Sequence, residues 1–287
     1  MNTTVTTTTL KMNGMEYRCR TAGLEQDGEL VIFLHGFPES SIIWEETMSK
    51  LAALGYRCLA PDQRGYSDGA RPDGYENYSL RKLSADVIGF ADVMGCSGKF
   101  HLVGHDLGAA VGWSVVTLYP QRIQTWTAMS VPHWEAYKWA LENDPVQKQK
   151  GTYVTKFMEP EVPESLIAAN DYAVLRHLWE GFDQETQEDY MRIFSQPEAR
   201  TAVINWYRGI MQVEEQIPYK DVETPTAFIW GNEDLALARA GVEKSHTYMK
   251  GYYDFHELNA GHWLTQFNEP EVSEIILNHI QKFPIEK

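Results

Sequence analysis

Short apolar runs at 29–34, 57–60, 100–103, 125–129, 226–230 and 252–258 alternate with amphipathic stretches at 44–54, 79–94, 107–118 and 269–281. Runs too short to be helices, set between segments with a 3.6-residue period, are the pattern of βαβ units. They restrict the fold to a mainly parallel twisted sheet flanked by helices. Residues 15–20 fit an antiparallel leader strand, and Ser79 stands where the second of those helices needs an N-cap. The rhythm breaks after Pro132: the chain becomes polar and helix-rich, punctuated by Pro145, Pro160, Pro163 and Pro197. The expected organisation is an α/β core at 1–131 and 217–287 with a helical cap at 132–216. Such a cap covers the carboxyl ends of the strands, where open α/β sheets bind ligands. The threonine-rich start fits either a frayed tail or an edge strand.

Composition removes several classes of function. With 40 acidic and 25 basic residues the chain carries a net charge of −15, the wrong sign for a phosphate-backbone partner, so no nucleic acid is expected. No apolar run approaches the ~18 residues of a membrane span, and residues 1–10 lack both a basic and an apolar leader region, so a cytoplasmic protein is expected. Cys19, Cys58 and Cys96 are odd in number and widely spaced, which reads as reduced core thiols. No glycine-rich dinucleotide or phosphate loop and no metal-ligand spacing occurs, so neither cofactor nor metal is expected. Monomer and homodimer both remain open.

Gly104-His105-Asp106-Leu107-Gly108 follows the apolar run at 100–103 directly. This is the layout of a nucleophile elbow, a tight strand-to-helix turn, with aspartate where the common motif has serine. A carboxylate there attacks an sp³ carbon without needing a base and leaves an ester that water must hydrolyse. The same residue also fits a plain helix N-cap, and position alone leaves both readings open. Two later segments favour the first. Gly231-Asn232-Glu233-Asp234 and Asn259-Ala260-Gly261-His262-Trp263 each follow a strand, giving the order nucleophile, acid, histidine of an α/β-hydrolase triad. His262 is then the base that activates water, with Asp234 holding its tautomer. Glu233 is the neighbouring alternative; Leu235 and Leu237 favour Asp234, as a loop packed toward the site. His35-Gly36-Phe37-Pro38 follows the first core strand, and with the elbow it supplies the backbone amides of Phe37 and Leu107 as an oxyanion hole. Asp62 and Arg64 read as braces of the loop around the site.

Together these motifs resemble an α/β-hydrolase-fold epoxide hydrolase along nearly the whole chain. The resemblance implies cofactor-free conversion of a small apolar epoxide and water to a vicinal diol. It also implies two cap tyrosines that hydrogen-bond the epoxide oxygen. One belongs to a stretch ending Phe157-Met158-Glu159-Pro160 and is matched by Tyr153; the other belongs to Asn205-Trp206-Tyr207-Arg208 and is matched by Tyr207. His35, Trp44, Trp134 and Trp263 are the expected pocket walls, and His133 and Trp134 stand at the cap entrance, where they could contact a leaving group.

Two other functions are weighed against this one. Haloalkane dehalogenases share the aspartate but resemble one another in a tryptophan directly after it and an Asn or Trp for the halide, where this chain has Leu107 and Phe37. Fluoroacetate dehalogenases use arginines beside the nucleophile, where this chain has Leu107 and Ala110. A non-catalytic small-ligand-binding protein of the same fold would lack a triad member, and none is missing.

Overall fold

The computed structural model describes residues 3–213 and 217–286. Its sheet is built from β1 (Thr6–Met12), β2 (Met15–Ala22), β3 (Leu30–Leu34), β4 (Arg57–Pro61), β5 (Phe100–His105), β6 (Ile123–Met129), β7 (Thr226–Gly231) and β8 (Tyr253–Leu258). The order is β1-β2-β4-β3-β5-β6-β7-β8. β2 runs antiparallel to both β1 and β4, and the remaining neighbours are parallel. The strands anticipated from the apolar runs lie within a residue or two of these bounds. The threonine run proves to be an edge strand, zipped to β2 from Thr6 opposite Thr21 to Met12 opposite Met15. β-branched threonine suits a strand with one solvated face.

The sheet is flanked by α1 (Glu45–Ala53), α2 (Leu80–Val93) and α3 (Leu107–Leu118). Between β6 and β7 come α4 (Trp134–Asn143), α5 (Pro145–Lys150), α6 (Thr152–Phe157), α7 (Val162–Leu178), α8 (Gln184–Phe194) and α9 (Pro197–Gln212). The chain then adds α10 (Arg239–Ser245), α11 (Leu264–Phe267) and α12 (Glu269–Lys282). The expected cap end at 216 lies outside the described residues. The central strand β3 is buried at every position, as a parallel strand covered on both faces must be. α3 lies against it so closely that a Cβ on Gly108 would stand 2.3 Å from the Leu34 carbonyl oxygen, which only glycine permits.

A buried ionic cluster joins the inserted helices to the sheet. The Asp62 carboxylate, at the end of β4, accepts hydrogen bonds from the Ser41 amide (3.0 Å) and hydroxyl (2.6 Å), from Arg18 on β2 (3.0 Å) and from Arg192 on α8 (2.6 Å). Asp189, also on α8, pairs with Arg20 of β2 at 3.2 Å. Burial alone raises the Asp62 pKa, but Arg192 and Arg18 outweigh it and the carboxyl stays ionised far below the usual range. Arg64 makes two bonds to Asp86, at 2.7 and 2.8 Å, and its carbonyl accepts the Trp206 indole N–H from α9 at 2.7 Å.

Two expectations need correction. Ser79 precedes α2, but its hydroxyl makes no cap bond and is buried without a partner among the described residues. Cys19 and Cys58 are core thiols, whereas Cys96 is only half-buried in a turn, its Sγ 3.4 Å from the Lys99 carbonyl. Among the described residues no helix is long and apolar enough to cross a membrane.

Candidate active site

The turn from β5 into α3 is strained at one residue. Asp106 has φ 51° and ψ −122°, a region that costs a non-glycine residue ~1–3 kcal/mol and persists only where its surroundings impose it. They do: its amide donates to the Met129 carbonyl (3.2 Å), and its carbonyl accepts from Ala109 (2.9 Å) and Ala110 (3.1 Å). The side chain makes no helix cap, which removes the N-cap reading. Its Oδ1 instead accepts the Phe37 amide at 2.9 Å. Gly36 makes that approach possible, because a Cβ there would lie 2.4 Å from the Asp106 Cβ. The Leu107 amide opens α3 and so has no acceptor within the helix.

Asp106 Oδ2 faces His262, whose Nε2 is 3.5 Å away, while His262 Nδ1 is 2.9 Å from Asp234 Oδ2. Asp234 Oδ1 accepts the amides of Ala236 (2.8 Å) and Leu237 (2.9 Å), so both its oxygens are committed. Glu233 is exposed. Burial pushes the Asp234 pKa up; the imidazole and the two amides more than offset this, and the carboxyl titrates below its ordinary value. For His262, burial works against the charged ring, but the two carboxylates prevail and hold its pKa well above that of a free imidazole.

Behind these three lies a second carboxylate–imidazole contact. Glu39 is fully buried and is 2.9 Å from His105 Nδ1, and it also accepts from the Gly36 amide at 3.1 Å and the Gln266 amide at 2.8 Å. His105 Nε2 reaches the His262 carbonyl at 3.0 Å. Burial opposes ionisation of Glu39, yet His105 and Gln266 bring its pKa down to about 2. The sequence reading missed both residues, although each sits inside or beside a motif it used.

A cavity of about 60 Å³ opens above Asp106. Its floor is Asp106, Leu107 and Ala110, and its roof is Trp134 and Tyr137 from α4, Tyr153 from α6 and Tyr207 from α9. The Tyr153 and Tyr207 rings are 6.1 Å apart, and Phe157 packs edge-on to both, at 5.4 and 4.8 Å. Burial, reinforced by Asp106, raises both phenols well above pKa 10, so they remain protonated donors. Tyr137 was not anticipated; one helical turn after Trp134, it is the neighbour that 3.6-residue spacing brings to the same face.

Other anticipated wall residues lie elsewhere. Trp44 is fully buried in the core, 5.3 Å from Phe33. His35 braces the loop below the site: its Nε2 accepts the Gln63 amide at 3.2 Å and its ring meets Tyr66 edge-on at 4.5 Å. Trp263 packs on the far side of His262, against Phe182. His133 is stacked on Tyr248 at 4.5 Å and does not line the cavity. Leu237 lines it, whereas Leu235 points outward and is 52% exposed. Trp44, His35, Trp263, His133 and Leu235 were placed by nearness in sequence to a motif or to the cap entrance, and none of them lines the cavity.

Residues 29–268 match the family model described as alpha/beta hydrolase fold. An AB hydrolase superfamily protein of Bacillus subtilis is 32% identical, over 94% of this chain and 96% of its own length. Epoxide hydrolase 4 of Mus musculus is also 32% identical, over 92% of this chain and 75% of its own. The crystal structure of epoxide hydrolase A from Mycobacterium thermoresistibile is similar with a TM-score of 0.86 at 25% identity, covering 99% of this chain and 100% of that one.

Proposed function

The chain belongs to the epoxide hydrolases of the alpha/beta hydrolase fold family, and from that premise we propose that Asp106 opens an epoxide to an ester which His262-activated water cleaves to a vicinal diol. In this reading the segment 132–216 is a cap over a core formed by 1–131 and 217–287. The supporting observation is the division of labour in one carboxylate: Asp106 Oδ1 is held by the Phe37 amide and Oδ2 is turned to the cavity and His262.

In the first step Oδ2 bonds to a ring carbon, the carbon–oxygen bond breaks, and its electron pair stays on the epoxide oxygen. Tyr153 and Tyr207 donate hydrogen bonds to that oxygen as it becomes an alkoxide. Negative charge thereby leaves Asp106, and with it one of the two charges that hold the proton on His262. His262 gives up that proton, which neutralises the alkoxide, and the freed imidazole then takes a proton from water while the hydroxide attacks Asp106 Cγ. The resulting oxyanion forms on Oδ1, against the amides of Phe37 and Leu107. Collapse returns the carboxylate, passes one proton to the departing oxygen and releases the diol, leaving His262 charged as before.

The test is an assay of diol formation on simple epoxides, run beside haloalkanes and fluoroacetate with halide detection. Diol without halide is expected; halide release without diol makes the protein a dehalogenase, and neither product makes it a binding protein.

A further inference from the structure

Three phenols line the cavity, one more than the two lone pairs of an epoxide oxygen can use. We propose that Tyr137 is a specificity-determining phenol that donates to a second, neutral oxygen of the substrate, so that the preferred class is epoxides with an ether or hydroxyl oxygen one carbon from the ring. This rests on the epoxide reading of the same site.

An epoxide oxygen has two lone pairs, and Tyr153 and Tyr207, whose rings stand nearly perpendicular at 81°, supply two donors. Tyr137 comes from a different helix, α4, with its ring 5.8 Å from that of Trp134. Its hydroxyl has no hydrogen-bond partner among the described residues, although the ring is packed into the wall. Apart from Asp106, the three phenols and the Trp134 indole, the lining is apolar, with Leu107, Val131, Val154, Ile210 and Leu237 among its members. A donor left in such a wall loses the free energy of an unmade bond when the cavity closes on a hydrocarbon chain, and recovers it when the chain carries an acceptor. Burial, helped by the Asp106 charge, pushes the Tyr137 pKa up to about 12, so it donates throughout the neutral range. The same charge disfavours an anionic partner, which leaves ether and hydroxyl oxygens.

Methyl glycidyl ether and 1,2-epoxypentane differ only by an oxygen in place of a methylene and form the test pair. Diol release from each is measured for the wild type and for Tyr137→Phe, which keeps the ring packed on Trp134. The ratio of kcat/KM for the ether to that for the alkane is expected to fall about three- to ten-fold in the variant, mainly through the KM of the ether. An unchanged ratio overturns the proposal, whether both values fall together, as they would if Tyr137 served the ring opening, or neither moves. Absence of diol from both substrates with the wild-type protein overturns the epoxide reading itself, a result distinct from an unchanged ratio.

Discussion

The floor and the roof of the cavity are held by different chemistry. On the floor, the carboxylates of Asp106 and Asp234 and the ring of His262 meet amides or each other at 2.8 to 3.5 Å, and the Glu39 carboxylate, 2.9 Å from His105, backs them. On the roof, Tyr207 is wedged edge-on between Phe37 at 5.6 Å and Phe157 at 4.8 Å. Rings fix where each phenol stands, and the Tyr153 and Tyr207 hydroxyls hydrogen-bond each other. In the proposed mechanism the difference separates groups in place before the substrate arrives from groups whose hydrogen bonds turn to it on binding.

If that division is right, the floor tolerates nothing. Asp106→Asn should lower diol formation by at least ~10³-fold in kcat, and His262→Gln should accumulate a substrate-sized adduct visible by mass spectrometry of the intact protein. Wild-type rates in Asp106→Asn would break the comparison at its centre. Smaller losses are expected above. Tyr153→Phe and Tyr207→Phe should each cost on the order of 10²-fold in kcat/KM, with melting temperature little changed, because the ring packing survives while one transition-state donor is lost. A Tyr207→Phe variant that melts much earlier would show that the hydroxyl belongs to the fold.

The charge coupling on the floor can be read directly. Asp106 is one of the two carboxylates that raise the His262 pKa, so removing its charge must weaken the imidazolium. In an NMR titration the His262 midpoint of Asp106→Asn should move down toward the ordinary imidazole value; an unmoved midpoint would mean that Asp234 alone holds the proton. The smallest expected effect concerns the join between the two halves. Arg192→Met deletes one of the three arginines paired with Asp62 and should cost about 1–3 kcal/mol in thermal unfolding. No change would show that Arg18 and Arg20 suffice.

The floor was legible in the sequence because each of its residues follows a strand within a short motif, and strand ends in this fold converge on one edge of the sheet. Asp106, Asp234 and His262 lie far apart in the chain, yet β5, β7 and β8 bring them together. The roof was legible only through resemblance for Tyr153 and Tyr207, and not at all for Tyr137, since which face of α4 meets the cavity is set by how six helices pack. Trp44, His35 and Trp263 show the converse: nearness to a motif says nothing about which way a side chain points. Glu39 carried a weak signal, an acid in an otherwise apolar loop beside Phe37, and its buried partner His105 could be found only in three dimensions.

The Asp62 cluster also governs how the molecule meets its medium. Dissolved ions screen exposed pairs such as Lys11 with Glu16 but reach a carboxylate sealed from water far less. The tether from α8 to the sheet, anchored on that carboxylate, therefore weakens less in concentrated brine than the ionic contacts of the outer surface do.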